Sequence, residues 1–144
     1  VKIYIAGASA EIERAERAIN LARLAGFEVA YDWPANVREV GESNPPDATD
    51  EQRREWAGTA LWAVAQVDAF WLLLPREPTV GAWFEFGAAL ARTGARSSPY
   101  IIASGDDVTH SPFVARAHVH AADDNEALAM LCAYRERGGR PRAA

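Results

Sequence analysis

The chain has 144 residues, 49% of them hydrophobic and 24% charged, with a formal net charge of -5. That is the length of one domain built on one core, with the composition of an ordinary globular protein rather than a disordered one. The mild acidity excludes a global basic footprint for a nucleic acid polymer, yet a small anion can still bind at a loop or a helix N-terminus.

The first strand is read at Ile3-Tyr4-Ile5-Ala6, a short apolar run of β-favouring residues stopped by Gly7. No apolar run reaches membrane-spanning length and no signal peptide precedes the strand, so a soluble, cytoplasmic protein is expected. Ser9 then reads as the N-cap of a helix, with Glu11 and Glu13 in its first turn favoured by the helix dipole. Ile12, Ala15, Ile19, Leu21, Ala22 and Leu24 recur at helical spacing, and Gly26 closes the helix. Phe27-Glu28-Val29-Ala30-Tyr31 is the second strand, and strand-helix-strand implies parallel pairing. Asp32 to about Asp47, with Pro34, Pro45 and Pro46, reads as a long loop of the kind that tends to carry function.

Thr49-Asp50-Glu51-Gln52 starts the next helix, which is expected to run to about residue 67. Ala69-Phe70-Trp71-Leu72-Leu73-Leu74 is the most hydrophobic stretch and is expected to be a central strand. A short loop leads to a helix from Gly81 to about residue 92. Tyr100-Ile101-Ile102-Ala103 is the fourth strand, Ala117-His118-Val119-His120 a short fifth, and the last helix starts near Asp124. The alternation predicts a single domain over residues 1–137, with residues 138–144 a frayed tail. Its fold class is α/β: a doubly wound, flavodoxin-like sheet of about five parallel strands with helices on both faces.

In such sheets the ligand crevice lies beyond the strand C-termini, near the switch in strand order. That rule selects Gly7 and Ser9, Asp32 and Trp33, the loop through Thr79 to Gly81, and the loop after residue 104. Gly7 reads equally as a ligand approach or as a plain strand-to-helix turn. Glu85 is expected in the first turn of its helix, held ionised by the dipole and shielded by Trp83, Phe84 and Phe86. It reads as a nucleophile or general base, or else as a helix-start glutamate serving only the dipole. Tyr4, Trp33 and Trp83 are candidates to stack on a base or sugar, against the alternative of core packing. His118 and His120 are expected to share a strand face, but two histidines do not make a zinc site, so no metal or cofactor is expected. Cys132, the single cysteine, excludes an internal disulfide and reads as a buried small apolar residue. A flavodoxin-like or response-regulator-like phosphotransfer domain is disfavoured, because the acidic cluster it needs after the first strand is missing.

Three segments carry a family resemblance: Lys2-Ile3-Tyr4-Ile5-Ala6-Gly7; Val67-Asp68-Ala69-Phe70-Trp71-Leu72-Leu73-Leu74-Pro75; and Gly81-Ala82-Trp83-Phe84-Glu85-Phe86-Gly87-Ala88-Ala89-Leu90-Ala91. In that order they resemble the nucleoside 2-deoxyribosyltransferase superfamily, which includes nucleoside 5'-monophosphate N-glycosidases. Tyr31-Asp32-Trp33 is similar to the second-strand end of its small members. The resemblance implies that Glu85 attacks the anomeric carbon of a (deoxy)nucleoside or its monophosphate, releasing the base through a glycosyl-enzyme ester. It implies a homo-oligomer, a dimer or larger, whose neighbouring subunits complete the pocket. The position six residues before the glutamate is acidic in transferases and hydroxylic in the monophosphate glycosidases. Here it is Thr79, which with Ser9 and the helix start at Gly81 favours a phosphate. Where the family usually carries a second aspartate, two helical turns before Asp68, this chain has Ala60. That departure keeps open a catalytically impaired nucleotide-binding or sensing module. Asp68, at the opposite end of its strand, reads as a turn residue.

Overall fold

The structure is a computed structural model that describes residues 1–39, 48–96 and 98–139. The apolar runs become five parallel strands: β1 (Lys2–Ala6), β2 (Glu28–Val29), β3 (Ala69–Leu73), β4 (Tyr100–Ser104) and β5 (Val119–Ala121). They are ordered β2-β1-β3-β4-β5, the doubly wound flavodoxin-like arrangement. Every residue of β3 and β4 is buried, as a strand covered on both faces requires.

Strand alternation divides the core. Ile3, Ile5, Trp71 and Ile102 face α1 (Ile12–Leu24) and α5 (Asp124–Glu136). Tyr4, Ala6, Phe70, Leu72 and Ile101 face α3 (Asp50–Val64) and α4 (Gly81–Arg96). Because side chains alternate with a period of two, Tyr4 is committed to the α4 side. Asp68 precedes β3 at the N-terminal end of the strands, opposite the expected crevice, where its carboxylate accepts the Lys2 N–H at 2.8 Å, as a turn residue should.

Helix ends follow their local chemistry. Thr49 and Gln52 form the reciprocal capping box of α3. Gly26 follows α1 at φ 82°, a left-handed conformation suited to glycine. Ser9, expected to cap α1, does not: a 3-10 turn over Ser9–Glu11 comes first, α1 starts at Ile12, and no side chain caps it. The expected loop after Asp32 begins instead with a helix, α2 (Trp33–Glu39). Proline is tolerated in a first helical turn, where its missing N–H needs no partner, so Pro34 sits as the second residue of this helix rather than blocking it. The rest of that expected loop, with Pro45, Pro46 and Asp47, lies outside the described residues, as does the expected tail beyond Gly139. Helix α4 is longer than expected and Glu85, its fifth residue, lies in the second turn rather than the first. β5 begins one residue after His118, so the two histidines are not strand partners. His118 Nδ1 accepts the Ile101 N–H at 3.0 Å and His120 Nε2 donates to Gly105 O at 2.6 Å.

No helix among the described residues is long and apolar enough to cross a membrane. None of their His, Cys, Asp and Glu side chains gathers in threes as a metal site would need. Cys132 is half-buried against the α1–α5 side of the core.

Candidate active site

A cavity of about 670 Å³ opens beyond the C-terminal ends of β1 and β3, the neighbours at which the strand order reverses. Its floor and near wall are Gly7, Ser9 and Thr79 through Ala82, with Glu85 facing it from α4. Tyr31, Trp33 and Asn36 supply a second wall, and Trp56, Ala57 and Ala60 of α3 a third. A volume of this size suits a nucleoside-sized molecule.

The carboxylate of Glu85 is held from below. Tyr4, with none of its surface exposed, donates its hydroxyl to Glu85 Oε1 at 2.7 Å. The Tyr4 ring is fixed by stacking on Phe70, with centroids 5.7 Å apart and planes within 6°, and Phe70 in turn packs on Phe86, one residue beyond Glu85. Strand and helix therefore lock the two partners together, and the second carboxylate oxygen is left for the cavity. Burial raises the Glu85 pKa to about 7, while the Tyr4 hydrogen bond works in the opposite direction. Tyr4 itself is pushed well above its ordinary value, first by burial and then by the Glu85 charge, so it remains a proton donor. The expectation of a carboxylate held ionised by the helix dipole is thus corrected. Glu85 lies a turn too deep for that field, and desolvation wins.

Trp33 points its Nε1 at Ile5 O, 2.9 Å away, which pins α2 over the end of β1 while the ring borders the cavity. Gly7 does not adopt the left-handed conformation, and a Cβ there would come 3.4 Å from Leu73 Cδ1 and 3.8 Å from Trp33. Those are ordinary packing distances, so neither strain nor a steric clash requires glycine here.

Three residues singled out from sequence are placed elsewhere. Tyr4 lies beneath Glu85 and not on the cavity surface. Asp32 turns outward, paired with Arg23 at 2.7 Å and accepting the Ala35 N–H at 3.3 Å, because the start of α2 and the end of α1 compete for its charge. Trp83 packs edge-on against Phe86 and borders a separate groove with Leu90 and Phe113. Phe84 is 71% exposed and shields nothing. Among the wall residues not singled out from sequence are Tyr31 and Asn36, joined by an Asn36 Nδ2 to Tyr31 hydroxyl bond of 2.6 Å. Tyr31 was reachable from the same strand-end rule that selected Gly7. Asn36 was hidden inside a segment read as loop.

The fold aligns with that of a CMP N-glycosidase from Clostridium botulinum, BcmB, at a TM-score of 0.57 and 19% sequence identity. The alignment covers 93% of this chain and 99% of that one. At such identity the likeness is one of fold. No protein-family model and no curated protein matches the sequence.

Proposed function

We propose that this protein cleaves, or transfers across, the N-glycosidic bond of a nucleoside 5'-monophosphate or (deoxy)nucleoside, with Glu85 as nucleophile. The observation that carries the reading is a half-buried carboxylate facing the cavity, oriented by Tyr4 and with a pKa near 7. A group poised near neutrality is both available as an anion and strongly nucleophilic for its setting. Glu85 adds to the anomeric carbon as the C1'–N bond breaks; the base leaves with the bonding pair and takes up a proton. The resulting ester is opened by water in a hydrolase or by a second base in a transferase.

Thr79, Ser9 and the α4 N-terminus at Gly81 border one cavity and offer neutral donors to a phosphate, which favours the monophosphate. Tyr31 is the other titratable group on the cavity wall among the described residues. Its hydroxyl proton has no acceptor among them, so it is placed to serve the departing base. The neighbouring fold's action on CMP agrees with a nucleotide substrate.

The test is base release from a panel of deoxynucleosides and monophosphates, with and without an acceptor base. Glu85→Ala should lower release by about a thousandfold or more. Release that persists unchanged in that variant would remove Glu85 as nucleophile. A second reading, an impaired nucleotide-binding module, draws on Ala60: its methyl lies in the cavity wall where the resemblance places an aspartate. Nucleotide binding without turnover across the panel would favour it. Assembly as a homo-oligomer belongs to the same proposal.

A further inference from the structure

The two sides of the cavity floor are tied together by one carboxylate that does not border it. Glu11 ends the 3-10 turn that begins at Ser9, and its N–H bonds back to Ala8 O at 2.9 Å. Its side chain reaches from the end of β1 to the loop after β3, where Oε2 accepts the Arg76 N–H at 2.8 Å. That loop carries Thr79. The other oxygen, Oε1, lies 3.4 Å from Arg14 Nη1, and the two side chains are only 15% and 13% exposed.

Arg14 is itself immobilised at the end of the sheet. It donates to Leu74 O at 2.9 Å, to Ser104 O at 3.2 Å, and to both oxygens of Asp124 at 2.8 Å. Burial opposes ionisation of Asp124, but the bonds from Arg14 and Ser104 hold it below the usual carboxylate range. Glu11 therefore joins a rigid anchor to a loop that is exposed at residues 76 to 78. A charge-assisted bond to a loop N–H in a partly desolvated setting is strong for a single contact.

We propose that Glu11 is a positioning residue for phosphate recognition: it sets the separation between the Ser9 turn and the loop that presents Thr79. The inference rests on the reading that this cavity takes a nucleoside 5'-monophosphate. Two hydroxyls on separate loops bind one phosphate well only if their spacing is fixed before it arrives.

The experiment pairs kinetics with amide hydrogen exchange on full-length wild type, Glu11→Ala, Glu11→Gln and, as a surface control, Arg17→Ala. In Glu11→Ala, exchange in residues 75–80 should accelerate, and KM for the monophosphate should rise about tenfold with kcat within about twofold. Glu11→Gln keeps an oxygen for the Arg76 N–H and should restore most of both; Arg17→Ala should match wild type. Unchanged exchange in Glu11→Ala overturns the inference, as does an equal rise of KM for nucleoside and monophosphate. A wild type that neither turns over nor binds a monophosphate overturns the nucleotide reading and this inference with it. Accelerated exchange in that case leaves Glu11 as a loop anchor alone.

Discussion

Burial raises the pKa of Glu85 to about 7 and the Tyr4 hydroxyl pulls it back, so the ionised fraction near neutral pH depends on one hydrogen bond. If the anion is the nucleophile, kcat/KM should climb with pH and level off above about 7, since that ratio follows groups of the free enzyme. Tyr4→Phe removes the downward influence. Its rising limb should move to higher pH, with a loss of about tenfold at pH 6, the size expected for a bond to a charged group. A profile that drops uniformly without moving would assign Tyr4 to packing alone. The same residue carries a stability prediction of definite sign. The folded value lies above the ordinary 4.5, so the contribution of Glu85 to stability is fully present below about 4.5 and is lost as pH rises through about 7. Glu85→Gln should therefore be more stable than wild type at pH 8, by roughly 2–3 kcal/mol, with the difference vanishing near pH 4. Denaturant titrations at the two pH values give both numbers. At this scale the sequence pointed to Glu85 through its place beyond a buried strand, but it offered Tyr4 as a stacking surface. The alternation that puts Tyr4 on the same side as α4 was already readable. Its contact with Glu85 depends on a separation of 81 residues, which local pattern does not encode.

At the scale of elements, α1, α3, β1, β3 and β4 were legible because period and end signals agree, as at Thr49 and Gly26. Helix α2 is not, because Pro34, Pro45 and Pro46 together read as loop and Asp32 as a ligand. Together, Asp32-Trp33-Pro34 is a helix start: an acidic cap, then an aromatic that anchors, then a proline in the first turn. The hydrogen bond from Trp33 to Ile5 O makes this helix one wall of the cavity. Asp32 consequently serves the helix start and the Arg23 pair. Asp32→Ala should cost about 1 kcal/mol of stability, the usual worth of such a cap. That corresponds to about 3–4 °C in Tm for a chain of this size, with KM unchanged. A raised KM at unaltered Tm would return Asp32 to the substrate.

For the whole molecule, strand order places the cavity and helix burial points to its surroundings. Only Ala60, Ala63 and Val64 of the fifteen residues in α3 are buried, while Leu61 and Trp62 are 47% and 62% exposed. Helix stability in proteins comes mainly from packing an apolar face, and the described residues bury little of α3. It packs on α4, at whose start Val80 and Phe84 are 68% and 71% exposed. Exposed large apolar side chains on two packed helices are the kind of surface a second copy would cover, and Val80 also borders the cavity. If the homo-oligomer proposed above forms through this surface, Val80 would bring the partner to the cavity rim, and assembly and activity should be linked. Light scattering is expected to give a dimer or larger species for wild type. Phe84→Glu should shift it to monomer and lower kcat/KM by at least about tenfold, while thermal unfolding remains cooperative because Phe84 contributes little to the chain's own core. A wild type that is monomeric at every concentration would remove the second copy from the site. An active Phe84→Glu monomer would show that the cavity needs no partner, and the function would then rest on Glu85, Tyr4 and their own chain.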